Sequence, residues 1–464
     1  MPRTAEYQQM LEEYRKSAQE NRARWDERIR QYRMGHGAVR LLDETGEPLR
    51  CAAVRIRQKN HAFRFGCNCL MLDQLGTPER NETYERRFAE LFNLATTTFC
   101  LYVMQPQPGV FRFAEDSEFV YRRPPSDRPV RFANKYGLAL KGQPLLADSW
   151  HPDWAPKDAE GVKRVYREYF AKVAQRYGNS PYELWDVVNE AFSCPRRTPD
   201  FPLLDDEFTM IDWAFREARN IFPAHQRLEL NEGTLQNCGE EAQRYLNLVK
   251  RLMRDEVPVE SVGLQMHIFD SAGHLQHHHL PFADMENTYM SYAELGMPIA
   301  ITEVTVQSRL EDCPKELGEE IQAAILENLY RLWFSAPTMH SAIFWNFADG
   351  VAWGKEGDVL GCLLDADLKP KPAYHRLYQL IHREWNTSLT AATNDEGVVE
   401  WDGFFGDYEI SLLKEEPLKR MNYTRIKGAW DVDPRIPTPS GCAALDGKQH
   451  VQECILTTQG GKTL

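Results

Sequence analysis

The chain has 464 residues, a length typical of two or three domains or of one large domain with additions. Its 42% apolar and 27% charged residues are those of an ordinary soluble globular protein. The formal net charge of −13 argues against nucleic acid or an anionic membrane as a partner, because either would require a basic face.

The N-terminal residues carry many charges and lack the apolar core of a signal peptide. No stretch approaches the ~18 apolar residues of a membrane helix. The cysteines are scattered, and Cys67 and Cys69 are too close together for the usual metal or redox motifs. These features predict a cytoplasmic protein with buried free thiols and no membrane partner, or a secreted one if a leader peptide has been removed. The oligomeric state stays open.

The first predicted segment, residues 1–60, is an accessory layer. Apolar residues at helical spacing predict a helix over residues 4–33. Two short β runs follow, on either side of a turn at residues 44–47. Nothing in this segment indicates chemistry.

Residues 61–385 alternate short β-rich runs with longer amphipathic runs, such as those at 160–177 and 315–334. Eight such repeats predict an α/β fold, a (β/α)8 TIM barrel. A doubly wound open sheet is the alternative, but no glycine-rich phosphate loop follows the first strand. The predicted strands are 62–68, 94–101, 137–142, 182–189, 226–231, 261–267, 298–303 and 341–346.

After about residue 385 the helical pattern ends. Alternating apolar and polar residues with glycine turns at 397–413 predict antiparallel strands. Residues 386–464 are therefore expected to form a small C-terminal β-rich extension.

Polar residues recur where the predicted barrel strands end, which is the face that carries active sites in such barrels. Two of them, Glu190 and Glu303, follow the fourth and seventh strands and would face each other. Two opposed carboxyl groups, one protonated and one ionised, are what retaining glycoside hydrolysis requires. A single glutamate in such a place is more often a salt-bridge partner, and the recurrence favours function. The other strand-end residues are Asn189, Asn231, Glu232, Gln265, His267, Trp345 and Asn346, with Asp349 and Trp353 following the last strand.

A histidine-rich tract at residues 274–279 follows Asp270. Such tracts can bind metal, but no second cluster in the sequence supplies matching ligands. The tract is interpreted as a lid over the mouth of the barrel. No metal or cofactor is predicted.

The motifs at these strand ends resemble those of glycoside hydrolase family 10, the endo-β-1,4-xylanases and their relatives. The matching segments are "WDVVNEA" at 185–191, "VGLQMH" at 262–267, "ITEV" at 301–304, "FWNFADGVAW" at 344–353 and "LLDADLKPKPAYHRL" at 363–377. The resemblance implies that Glu190 is the general acid/base and Glu303 the nucleophile. It also implies that Asn189 binds the 2-hydroxyl of the sugar, and that His267 and Gln265 support the nucleophile. Trp345 and Trp353 would frame the cleft.

The chain departs from the family pattern in its third and second strands. Where the family shows a segment like "RGHTLVWHSQTPDW", residues 141–154 read "KGQPLLADSWHPDW". Gln143 and Asp148 replace histidines, and Ala147 replaces a tryptophan. Where the family shows the strand-two motif "ENEMKW", this chain has "TTTFCLYV". Gln143 and Asp148 are expected to bind substrate hydroxyls that differ from those of the usual sugar.

The two glutamates predict a retaining glycoside hydrolase, and the family resemblance implies xylan or xylo-oligosaccharides as its default substrate. A hydrolase of another β-linked glycan or of a glycoconjugate is the alternative within the same class. A non-catalytic carbohydrate-binding protein on the same barrel is the alternative from a different class. A metal-dependent enzyme that uses the histidine-rich tract is the least favoured.

Overall fold

The computed structural model describes residues 2–43, 45–147, 151–191, 209–233, 238–268, 280–413, 423–426 and 452–455. Two compact units divide the chain, and each is built from two separate segments. The first unit comprises residues 1–21 and 64–377, and the second comprises residues 22–63 and 378–464.

The first unit is built on a closed barrel of eight strands. Every neighbouring pair in it is parallel, and the order around the barrel is β10-β3-β4-β5-β6-β7-β8-β9. The predicted (β/α)8 barrel is therefore confirmed. Its strands are β3 (Arg64–Asn68), β4 (Leu94–Thr98), β5 (Ala139–Gln143), β6 (Tyr182–Asn189), β7 (Arg227–Gly233), β8 (Ser261–Ile268), β9 (Ile299–Val306) and β10 (Met339–Phe344).

Helices lie between these strands, and local sequence fixes several of their ends. The helix that follows β3 starts after Thr77, whose hydroxyl accepts from the Arg80 amide, and Pro78 occupies its first turn. The helices are α1 (Pro2–Arg33), α2 (Pro78–Leu91), α3 (Leu101–Met104), α4 (Asp127–Tyr136), α5 (Ala159–Tyr177), α6 (Thr209–Ile221), α7 (Gly239–Arg254), α8 (Phe282–Glu294), α9 (Lys315–Ser335), α10 (Lys355–Asp358) and α11 (Pro372–Gln379), followed by a π turn at Leu380–Glu384. Over the described ranges, no helix has the length and apolar character needed to cross a membrane.

The ends of several strands differ from the sequence expectation, and at two of them the difference concerns residues predicted to lie in the site. The seventh barrel strand, β9, continues to Val306, so Glu303 lies within it rather than at its end. The eighth, β10, stops at Phe344, so Trp345 and Asn346 lie beyond it. Asn346 has a φ of 71°, which is incompatible with a strand.

The second unit contains two sheets in which most strand pairs are antiparallel. One has the order β12-β1-β15 and the other β11-β2-β13-β14. A cluster of alternating apolar residues, which includes Ile56 and Trp401, forms the core of this unit. Its strands are β1 (Met34–Leu42), β2 (Ala53–His61), β11 (Ser388–Ala392), β12 (Val398–Phe404), β13 (Gly406–Leu412), β14 (Tyr423–Ile426) and β15 (Gln452–Ile455).

The sequence expectation kept residues 1–60 apart from residues 386–464. The structure instead pairs β1 with β12, and β2 with β11 and β13. Strands from both chain ends thus share the same sheets. Neither segment can satisfy its backbone hydrogen bonds alone, and a pattern confined to one segment does not reveal this long-range pairing.

Beneath the mouth of the barrel lies a cluster of buried charged groups, the inner ionic layer, formed by Lys141, Asp186, Glu229, Ser261 and His340. The Lys141 ammonium donates to Glu229 at 2.6 Å and lies 2.9 Å from a carboxylate oxygen of Asp186. The hydroxyl of Ser261 donates to the other Glu229 oxygen at 2.7 Å and lies 2.7 Å from His340 Nε2. One ammonium therefore serves two carboxyl groups, with no water between them.

The pKa values within this layer move in opposite directions. Burial raises the pKa of Asp186 well above its usual value, although Lys141 opposes the shift. Burial also acts to raise the pKa of Glu229, but the charge of Lys141 and the hydrogen bond from His340 outweigh it, so that pKa is lowered. Asp186 therefore retains its proton more readily than Glu229 does, and the Lys141 ammonium lies close to both carboxyl groups.

Candidate active site

Two glycines on the barrel strands lie against closely packed side chains of the neighbouring strands. A Cβ on Gly142 would collide with the indole ring of Trp185, and a Cβ on Gly263 would collide with the side-chain oxygen of Asn231. Gly142 precedes Gln143 on β5, so the close approach of Trp185 helps to fix where Gln143 emerges. Gly263 leaves the space that Asn231 fills. Both glycines are therefore required by close packing.

Glu190 follows the last residue of β6 and has a backbone φ of 57°. Its amide donates to the carbonyl of Asn231 at 2.9 Å, which anchors the turn against β7. A left-handed conformation at a residue with a side chain costs on the order of 1–2 kcal/mol. This strained turn is how the chain directs Glu190 over the barrel mouth.

Glu190 and Glu303 are brought together by one amide group. The Gln265 Nε2 atom donates at 3.0 Å to Glu190 Oε1 and at 3.0 Å to Glu303 Oε1. Those two oxygens are therefore at most twice that distance apart. The two predicted acids, 113 positions apart in the chain, share one donor in one site.

Glu303 is surrounded by donors. Its Oε1 atom accepts from the side-chain amides of Gln143, Asn231 and Gln265. Its Oε2 atom lies 3.3 Å from His267 Nε2. Such donors stabilise an ionised carboxylate and fix the direction of its oxygens.

Glu190 has a different environment. Burial raises its pKa above the usual value, and the nearby charge of Glu303 raises it further. The hydrogen bond from Gln265, the charge of His267 and a contact with Asn189 oppose the shift without reversing it. Glu190 therefore retains its proton more readily than an ordinary glutamate does.

His267 contacts two residues of β9, Glu303 and Thr305. Its Nδ1 atom lies 3.0 Å from the Thr305 hydroxyl, opposite the nitrogen that faces Glu303. Burial acts to lower the pKa of His267, but the hydrogen bond and charge of Glu303 outweigh it, so the pKa is raised. The imidazole therefore carries a positive charge over a wider pH range than a free histidine.

Asn189 is buried beside this cluster. Its side-chain oxygen accepts from Asn231 at 2.6 Å, and Asn231 also accepts from the Thr302 hydroxyl at 2.6 Å. The side-chain oxygen of Gln143 is buried and has no hydrogen-bond partner within the described part of the chain. It is available to accept from a ligand hydroxyl.

The predicted aromatic residues differ in their positions. The ring centroid of Trp345 is 6.4 Å from that of His267, and the two planes are nearly perpendicular, so Trp345 borders the acid pair. Trp353 is 71% exposed, and no described contact joins it to the pair. Asp148 and the histidine-rich tract lie outside the described residues. Among the described residues, no cluster of His, Cys, Asp and Glu could hold a metal ion.

Several residues of the site were not singled out as binding residues from the sequence. Asn231 was noted only as a strand end, although it contacts both Asn189 and Glu303. Thr305 follows Glu303 at the two-residue spacing of one strand face, which could have indicated it, whereas Thr302 is adjacent to Glu303 in the sequence and was found only through its contact with Asn231. Glu356, on the short helix α10, contacts Trp345, and Arg122, in a loop, contacts Asn346; neither segment is long enough for a periodic pattern to mark these residues.

A closed (β/α)8 barrel with two glutamates sharing a donor at its C-terminal face defines a barrel of the glycoside hydrolase class. Residues 72–380 match the family model described as glycosyl hydrolase family 10. The match covers well over half of the chain, and the chain belongs to that family.

Relatives agree on the barrel and differ in how far they extend. The chain is 25% identical over 421 residues to the anti-sigma-I factor RsgI6 of Acetivibrio thermocellus, covering 89% of this chain and 50% of that protein. It is 24% identical over 279 residues to an endo-1,4-beta-xylanase of Agaricus bisporus, covering 58% of this chain and 77% of that one. The chain thus spans half the length of the first relative.

Solved structures show the same fold. The crystal structure of xylanase 10B from Thermotoga petrophila in complex with xylobiose aligns with a TM-score of 0.57 and 21% identity. The alignment covers 70% of this chain and 95% of that chain. The barrel is therefore the shared part.

Proposed function

We propose that this protein is a retaining glycoside hydrolase that cleaves β-glycosidic bonds, by default in xylan or xylo-oligosaccharides. The observation that carries the proposal is the single Gln265 amide shared by Glu190 and Glu303. It limits the separation of the nearest carboxylate oxygens to a range that includes the ~5–5.5 Å of retaining enzymes and falls short of the ~6.5–9.5 Å of inverting ones.

In the first step, an ionised Glu303 oxygen attacks the anomeric carbon and the bond to the leaving oxygen breaks. Glu190 gives its proton to that oxygen, and a covalent glycosyl-enzyme remains. In the second step, Glu190, now ionised, removes a proton from water, whose oxygen attacks the anomeric carbon. The bond to Glu303 breaks, and Glu190 is again protonated. The raised pKa of Glu190 and the donors around Glu303 suit these roles.

The xylan default rests on the family and on the xylanases among its relatives. Gln143 and Ala147 make the sugar contacts differ from the resembled pattern, and the free Gln143 oxygen adds an acceptor. Another β-linked glycan or a glycoconjugate therefore competes as substrate. Aryl β-glycosides that differ only in the sugar would rank these substrates by kcat/KM.

The mechanism is tested by the stereochemistry of the product and by chemical rescue. Proton NMR of the first product should show the β anomer, and an initial α anomer would overturn the proposal. Glu190→Ala should cleave an activated aryl β-glycoside slowly, because no base remains to activate water. Added azide should restore turnover and give the β-glycosyl azide. Rescue of Glu303→Ala that gave the same β-azide would contradict the assigned roles.

A second candidate function is carbohydrate recognition without turnover. One observation favours it: a relative that aligns with 89% of this chain, well beyond the barrel, is named an anti-sigma factor. A glycan array together with hydrolysis assays separates the two functions. Binding of an oligosaccharide that stays uncleaved over prolonged incubation would favour recognition.

A further inference from the structure

Trp345 emerges beside the acid pair, immediately after β10 ends. Its backbone amide donates to the carbonyl of Val304 at 2.7 Å, which fixes the start of the loop against β9. Its ring stands nearly perpendicular to His267, which faces Glu303. The indole therefore lies next to the histidine that contacts Glu303, and in the proposed function, on which this inference rests, a reacting sugar ring would lie close to it.

One carboxylate fixes the outer edge of that indole. Glu356, on the short helix α10, accepts from Trp345 Nε1 at 3.2 Å through Oε1. Its other oxygen, Oε2, accepts from the side-chain amide of Asn346 at 2.5 Å. The two carboxylate oxygens of Glu356 thus accept hydrogen bonds from two consecutive residues that follow β10.

The two hydrogen bonds that Glu356 accepts, from Trp345 and Asn346, are called the clamp below. Arg122 supports the clamp. Its guanidinium donates to the side-chain oxygen of Asn346 at 2.6 Å and to the carbonyl of Val351 at 2.6 Å, within the same loop. Its backbone amide donates to Gln74 at 2.7 Å. Arg122 and Asn346 are both buried and both have positive φ values, 59° and 71°. Such conformations persist only where surrounding contacts determine them.

We propose that Glu356 is a positioning residue for the active site, which holds the Trp345 indole against the sugar at the cleavage point. It acts through Trp345 and Asn346 and needs no contact with substrate. Because stacking on a fixed ring benefits bound substrate and transition state alike, its loss should raise KM more than it lowers kcat.

The carboxylate has a second, electrostatic consequence. His267 is faced by three carboxyl groups, those of Glu303, Glu356 and Glu190, and by the Thr305 hydroxyl. The charge of Glu356 is one of the influences that raise the pKa of His267 against the opposing effect of burial. Replacing Glu356 with a neutral group should therefore lower the pKa of His267, an effect that a purely structural support would not produce.

The test compares Glu356→Gln with Asp358→Asn. Asp358 is exposed on the same helix, so this control removes the same charge without touching the clamp. For 4-nitrophenyl β-xylobioside, Glu356→Gln should raise KM on the order of fivefold with a smaller change in kcat. Asp358→Asn should match the wild type. Circular dichroism establishes that both variants are folded.

The pKa of His267 is measured in the same three proteins by NMR of 15N-labelled histidine, assigned with His267→Gln. It should fall in Glu356→Gln and not in Asp358→Asn. Unchanged KM and unchanged His267 titration in Glu356→Gln would overturn the inference. If the wild type hydrolyses no aryl glycoside, the proposed function fails. The role of Glu356 is then still decided by two measurements on the three proteins: the pKa of His267 and the affinity for xylobiose.

Discussion

The barrel holds two clusters of buried acids, one in the inner ionic layer and one at the mouth. In the inner layer, Asp186 and Glu229 share the Lys141 ammonium. At the mouth, Glu190 and Glu303 share the neutral amide of Gln265. Both clusters put carboxyl groups close together in the same interior, and under the proposed function only the outer one takes part in the reaction.

The difference lies in what neutralises the acids. A fixed ammonium in the inner layer stabilises one arrangement of protons, which is an advantage for a structural element. At the mouth, the donors around Glu303 are neutral amides and a titratable imidazole, which in the proposed mechanism stabilise the charge of Glu303 while Glu190 gains and loses a proton. Burial alone therefore does not identify a catalytic carboxylate.

The largest expected effect is a loss of activity on substitution of an acid at the mouth of the barrel. Glu303→Gln keeps the shape of the side chain and removes the nucleophilic charge. We expect kcat for an aryl β-glycoside to fall by at least ~10⁴-fold, as for the loss of other nucleophiles, with little change in the free energy of unfolding. Activity within tenfold of the wild type would remove Glu303 from the mechanism.

The next effect is a loss of stability on substitution of the lysine in the inner ionic layer. Lys141→Met leaves two buried carboxyl groups without their cation, and breaking a buried ion pair in this way costs about 3–5 kcal/mol. Denaturant unfolding at pH 7 measures the loss. Lys135→Met is the matched control, because Lys135 is exposed although its partner Glu85 is largely buried, so a smaller loss than for Lys141 is expected.

If Lys141→Met does not fold, the double variant Lys141→Met/Glu229→Gln should recover part of the stability, because it leaves one potentially charged acid instead of two. Equal losses in Lys141→Met and Lys135→Met would show that the inner layer is not stabilised by this ammonium.

An intermediate effect is expected from the shared amide. Gln265→Leu removes a donor from both acids, and loss of one such donor costs on the order of 10²-fold in kcat. Because the hydrogen bond from Gln265 lowers the pKa of Glu190, that pKa should rise in the variant. Glu190 acts protonated in the first step, so the alkaline limb of kcat/KM should move to higher pH. A limb that moved to lower pH would contradict the assignment of Glu190 as the acid.

The smallest effect concerns pH and the inner layer. Burial lowers the pKa of His340 to about 4, despite the opposing influence of Glu229. As the pH falls, the unfolded chain therefore takes up this proton before the folded protein does. The free energy of unfolding should decline between pH 6.5, the usual pKa of histidine, and about 4, the pKa of His340 in the folded protein. Urea unfolding of His340→Gln across this range should give a flatter profile than the wild type. Parallel profiles would mean that His340 is not held neutral.

Sequence patterns located most of the barrel strands and both acids, because burial on both faces produces apolar runs that end in polar residues at the mouth. They could not reveal that Asn231 links Asn189 to Glu303, since that contact depends on the register between β6 and β7 and on the space above Gly263. Glu356 was missed for a related reason: its partners, Trp345 and Asn346, lie ten or so positions away across a loop without periodicity.

By itself, the amino-acid sequence determined the alternation of strands and helices, the positions of Glu190 and Glu303, and the family. These depend on local periodicity and on short motifs, which a linear chain carries intact. Only the tertiary structure decided that one Gln265 amide serves both acids, that the two chain ends share sheets, and that a lysine neutralises the inner layer. Each of these is a contact between groups far apart in the chain, and it exists only once the barrel has closed and the second unit has formed its sheets.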